Sequence, residues 1–70
     1  MVRRSTLECK LEKLFKDIGT IYFSDYGELG MMLDESDRHK VMRLIKLLDE
    51  QRKIYLDFEN GVWILDYIGF

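Results

Sequence analysis

Ile21-Tyr22-Phe23-Ser24-Asp25-Tyr26-Gly27-Glu28-Leu29-Gly30-Met31-Met32-Leu33 decides the fold of this chain, because it reads either as a hairpin or as a strand followed by a short helix. As a hairpin, Asp25-Tyr26-Gly27 forms a three-residue loop with Gly27 at the left-handed position. Ile21, Phe23, Leu29, Met31 and Leu33 then share one face. A helix over residues 26–33 would have to carry two glycines and the strand-like run Met31-Met32-Leu33, both unfavourable in a helix interior. The hairpin is therefore the expectation.

Downstream, residues 54–67 give a second hairpin whose register follows from burial. With Asn60-Gly61 as a two-residue type I′ turn, Phe58 faces Trp63, Leu56 faces Leu65 and Ile54 faces Tyr67, so these six apolar side chains share one face and no acid joins them. Each hairpin follows an amphipathic helix. The first starts at Ser5, where Ser5-Thr6-Leu7-Glu8 forms a capping box, places Leu7, Leu11, Leu14, Phe15 and Ile18 on one face, and stops at Gly19. The second spans about 36–52, with Asp34, Glu35 and Asp37 near the positive end of its dipole. Its apolar residues Val41, Met42, Leu44, Ile45, Leu47 and Leu48 cover a wider arc, which predicts the more buried helix.

A shift of 33 residues superposes Leu11 on Leu44, Leu14 on Leu47, Phe15 on Leu48, Ile21 on Ile54 and Tyr22 on Tyr55. Duplication and chance similarity of two amphipathic segments explain this equally well. Either way the expected fold class is α+β: one domain over residues 1–70, a two-layer αββαββ arrangement of two helix-plus-hairpin units, with one antiparallel sheet and both helices on one face. The alternative parse runs helix, strand, helical turn, helix, strand, wing, strand. That order resembles a winged helix-turn-helix, in element order alone and without a shared motif.

Composition narrows the class of protein. Hydrophobic residues make up 47% and charged residues 34% of 70 residues, which is globular and not disordered. No apolar run reaches the roughly 18 residues of a membrane span, and one cysteine suits a reducing compartment, so a soluble cytoplasmic protein is expected. The net charge of −2 conceals blocks: residues 17–37 carry six acids and no base, whereas residues 38–53 carry six bases and two acids.

Catalytic chemistry lacks its parts. His39 and Cys9 are the only residues of their types, and no metal-ligand spacing, phosphate-binding glycine loop or nucleophile-base pattern is present. Asp34, Glu35 and Asp37 sit where helix capping calls for acids. Cys9 falls near Lys13 and Lys16, which can lower a thiol pKa, but an incidental surface thiol explains it more simply. The expectation is a non-enzyme without metal or cofactor.

Two surfaces remain for binding. His39, Arg43 and Lys46 line up on the second helix opposite its apolar arc, a basic stripe suited to phosphates or an acidic protein. On the outer sheet face the hairpin reading places Tyr22, Met32, Tyr55, Val62 and Ile64 among Asp57, Glu59 and Asp66. Acids repel nucleic acid, so this face suits a protein contact or a homodimer packed through sheet or edge strands. The leading expectation is a non-catalytic protein-binding module, a small adaptor, regulator or inhibitor of a size that fits a phage or mobile-element product. The alternative is a winged-helix-like nucleic-acid-binding regulator using Arg3, Arg4, His39, Arg43 and Lys46.

Overall fold

Asp25 is where the hairpin reading fails. Its backbone is extended and its side chain accepts a 2.8 Å hydrogen bond from the Glu28 N–H, so it caps a helix. The Glu28 carboxylate in turn accepts from the Ser24 hydroxyl, a variant of the capping box. The computed structural model, which describes residues 6–69, accordingly runs α1 (Thr6–Ile18), β1 (Ile21–Phe23), α2 (Tyr26–Met32), α3 (Arg38–Glu50), β2 (Ile54–Glu59) and β3 (Val62–Tyr67). It is an α+β fold in which the described residues form three helices and a three-stranded antiparallel sheet of order β1-β3-β2.

The expected αββαββ arrangement is thus corrected at one element. Residues that should have formed the second strand of the first hairpin are α2 and its C-terminal turn, and the element order is that of the alternative parse. Leu29 and Leu33, four apart, are buried, whereas Met31 between them is 82% exposed. The glycines are compatible with the helix for local reasons. Gly27 lies in the first turn, and Gly30 is buried because the α2–α3 turn folds back over it: a Cβ there would lie 2.5 Å from the Glu35 carbonyl oxygen.

That turn is a Schellman closure. Glu35 N–H donates to the Gly30 carbonyl at 2.7 Å and Asp34 N–H to the Met31 carbonyl at 3.2 Å, with Asp34 at φ +55°. Asp37 then caps α3 by accepting from the His39 and Lys40 amides at 3.0 and 3.3 Å. The helix starts at Arg38, two residues later than expected. At its far end Arg52, φ +56°, repeats the closure, with Lys53 N–H donating to the Leu48 carbonyl and Arg52 N–H to that of Asp49. Gly19 ends α1 as expected, at φ +75° with its N–H on the Phe15 carbonyl. The Ser5 cap expected at the other end lies outside the described residues.

The second hairpin has the expected register: Ile54↔Tyr67, Leu56↔Leu65, Phe58↔Trp63 and Glu59↔Val62, with Asn60 at φ +54° and Gly61 at φ +78° in the turn. β1 pairs with the other edge of β3, Ile21↔Leu65 and Phe23↔Trp63. Two rows therefore cross the inner face, Ile21-Leu65-Leu56 and Phe23-Trp63-Phe58. Leu7, Leu11 and Phe15 of α1, Leu29 and Leu33 of the α2 segment, and Val41, Ile45 and Leu48 of α3 close over Ile21, Phe23, Ile54 and Leu65 to make the core. The hairpin outruns this cover. Phe58 is 53% exposed, resting on Trp63 with ring centroids 4.6 Å apart.

The 33-residue shift retains part of its meaning. α1–β1 and α3–β2 are both helix-strand units, and their strands flank β3 on its two sides. Burial differs between the helices, however. Leu14 packs against the core while Leu47, its counterpart, is 47% exposed, and Ile18 is exposed as well. A second strand follows only the second unit.

Candidate functional site

The α2–α3 corner determines what α3 shows to solvent. Val41, Ile45 and Leu48 turn inward at spacings of four and three, so residues about half a turn away point out. His39, Arg43 and Lys46 are all exposed there, as the spacing predicts, with Leu47 beside them and Glu50 at the end of the line. Arg43 reaches back to the His39 carbonyl, which accepts from its Nε at 3.4 Å. Arg38 and Lys40 add charge at the first turn, and Lys40 pairs with Glu35 at 3.4 Å. The Asp37 N–H, with a further contribution from Lys40, holds the Glu35 carboxyl below its ordinary pKa. The turn's acids thus serve the local structure, while Arg43 and Lys46 project outward.

Between the N-terminal ends of α2 and α3 lies an open cleft of about 350 Å³ lined by Asp25, Tyr26, Gly27, Arg38, His39 and Met42. Tyr26 forms its floor through ring contacts with Phe23 at 5.5 Å and Trp63 at 6.3 Å. Burial, reinforced by the charge of Asp49, pushes the Tyr26 hydroxyl pKa up. At neutral pH this hydroxyl is a donor. Tyr26 was hidden from sequence reasoning by its assignment to a loop; the pattern Asp25-x-x-Glu28 was the available signal.

The outer sheet face is assembled largely as expected. Register places Tyr22, Ile64 and Asp57 in one row and Asp66 beside Tyr55 in the next. Tyr22 and Tyr55 are 58% and 56% exposed, and Val62 and Ile64 are partly covered. Met32 does not belong to this face. It lies at the end of α2, because the segment carrying it is a helix and not a strand, and it lines a shallow groove with Lys10, Lys13 and Leu14 of α1. Asp66 accepts a hydrogen bond from the Thr20 hydroxyl, tying the face to the α1–β1 link.

Cys9 is exposed on α1. Among the described residues no group of three His, Cys, Asp or Glu side chains could hold a metal ion, and no helix is long and apolar enough to cross a membrane. Arg3 and Arg4 lie outside the described residues. Comparison of the chain with protein-family models, curated proteins and solved structures finds no match.

Proposed function

We propose that the chain is a non-catalytic regulator that binds duplex DNA through the outward face of α3, with α2–α3 as a helix-turn-helix and the β2–β3 hairpin as its wing. The observation that carries this reading is the corner itself. A short capped helix turns into α3 and directs His39, Arg43 and Lys46 away from the core, which is how a recognition helix is presented to a major groove. Gly27, Gly30 and the run Met31-Met32-Leu33 disfavour a helix over residues 26–33, yet α2 spans Tyr26–Met32.

The hairpin moderates the claim. Asp57 and Glu59 lie toward its tip, so the wing repels phosphates and the attraction rests on α3. Weak binding by one copy is the consequence. For the two cationic contacts of Arg43 and Lys46 the logarithm of affinity should fall with the logarithm of salt at a slope of about −2. Fluorescence anisotropy on a labelled mixed-sequence duplex tests this. Micromolar binding with that slope, lost in Arg43→Glu, is expected; no anisotropy change at low salt would rule out the DNA reading.

A second reading has its own observation. Tyr22 and Tyr55 stand more than half exposed among carboxylates on the outer sheet face, which suits a protein partner carrying cations. Under this reading the chain is an adaptor or inhibitor that covers a partner's surface. Affinity capture that recovers one protein from wild type and loses it in Tyr55→Asp would favour it.

A further inference from the structure

The sequence of the three strands contains no lysine or arginine, and all three of their acids, Asp57, Glu59 and Asp66, fall on the outer face with Tyr22, Tyr55, Val62 and Ile64. A twofold pairing of this face with itself would oppose six carboxylates, so a symmetric sheet-to-sheet dimer is electrostatically disfavoured. Pairing along the β2 edge is hindered too. Around the two-residue turn Glu59, Asp57 and Tyr55 bond to β3, leaving the Phe58, Leu56 and Ile54 amides on the open side. The Phe58 amide is already engaged by the Asp57 carboxylate at 2.8 Å.

The complementary surface is on the same chain. The outward side of α3 sets the exposed apolar side chain of Leu47 beside Arg43 and Lys46, with His39 two turns earlier and the acid Glu50 at its far end, whereas the sheet face sets tyrosines and Ile64 among acids. We propose that the outer sheet face of one copy docks on the α3 face of a second, head to tail, so that in the absence of DNA the α3 face is occupied by a neighbour's acidic sheet. Leu47 covers Tyr22, Tyr55 and Ile64, and the cations meet Asp57 and Glu59 at the rim. A helix laid on a three-stranded sheet is a small interface, so the contact is weak and reversible. Because the two surfaces differ, association does not stop at two copies unless the ring closes. Competition with DNA rests on the function proposed above; the self-contact does not.

Sedimentation velocity of the full chain over the micromolar range tests it. At low salt the weight-average sedimentation coefficient should rise with concentration past the dimer value, and high salt should reverse the rise. Asp57→Lys/Glu59→Lys and Arg43→Glu/Lys46→Glu should each abolish association while keeping the wild-type circular dichroism. A chain carrying all four reversals should regain it. A symmetric sheet contact would not recover in that chain, since it would oppose lysines, so failure to recover overturns the proposal. Wild type that keeps its monomer mass at low salt also overturns it, even where a charge variant fails to fold. Saturating duplex should dissolve the assemblies. If the chain binds DNA while the assemblies persist, shared use of α3 is wrong; if it binds no DNA but assembles, only the DNA function is lost.

Discussion

Gly30 occupies a helix position at which alanine would ordinarily stabilise by up to about 1 kcal/mol. Here the sign reverses. A Cβ would lie 2.5 Å from the Glu35 carbonyl oxygen, which belongs to the backbone of the Schellman turn and cannot move without opening the Glu35-to-Gly30 hydrogen bond. Gly30→Ala should therefore destabilise the chain by about 1–3 kcal/mol, the range for overpacking. Gly27 is the control. Its nearest obstacle is the Asp25 carboxylate at 3.0 Å, an exposed side chain that can give, so Gly27→Ala should change stability by less than about 0.5 kcal/mol, as helix propensity and cap disturbance offset. Urea unfolding of both variants checks this, and equal costs would show that the turn's approach to Gly30 is not what excludes the side chain. The same residue explains why the sequence misled. Glycine as a turn former and glycine as a close-contact residue look alike until the partner backbone is known.

At the scale of elements, legibility depended on whether the deciding chemistry was local. The β2–β3 register was readable because Asn60-Gly61 demands a particular turn and the alternation around it leaves one register that segregates apolar from acidic side chains. α1 ended where a glycine announced it. The stop of α2 was opaque, since Asp34 occupies a left-handed position that glycine usually marks, and this concealed the helix. The stop of α3 was read within two residues of Glu50, although Arg52 takes the same left-handed conformation. The exposed basic stripe was legible because its spacing survives a two-residue error in the start of α3; Met32 was misplaced because a strand and a helix send it to different faces. Arg52 offers a test. A non-glycine residue in the left-handed region costs roughly 1–2 kcal/mol, and glycine loses about 0.5–1 kcal/mol more entropy on folding, so Arg52→Gly should stabilise by up to about 1 kcal/mol. Thermal unfolding at fixed protein concentration reads this, and a lower midpoint would mean that the Arg52 side chain contributes contacts that outweigh the backbone gain.

At the scale of the molecule, the sheet order distinguishes this fold from a pair of repeated units. Two helix-plus-hairpin units side by side would each close a hairpin within one half of the sequence. Instead β3, contributed by the second half, lies between β1 from the first half and β2 from its own. Leu65 meets Ile21 on one side and Leu56 on the other, and all but one of the inner-face rows is incomplete without both halves. Division at the α2–α3 turn, into residues 1–35 and 36–70, should therefore leave neither fragment folded. The first would hold a three-residue strand with nothing to pair with. The second would hold one helix on a two-stranded hairpin, below the size of roughly 40 residues at which domains without disulfide or metal become self-supporting. Each fragment alone should show weak far-ultraviolet circular dichroism and no cooperative transition, whereas an equimolar mixture should recover helical signal as β1 docks on β3. Proton–nitrogen correlation spectra of a labelled second fragment would report that docking, with shifts expected at Trp63, Ile64 and Leu65. If residues 36–70 unfold cooperatively on their own, the helix-plus-hairpin unit is autonomous after all, and the 33-residue similarity gains weight as the trace of a duplication.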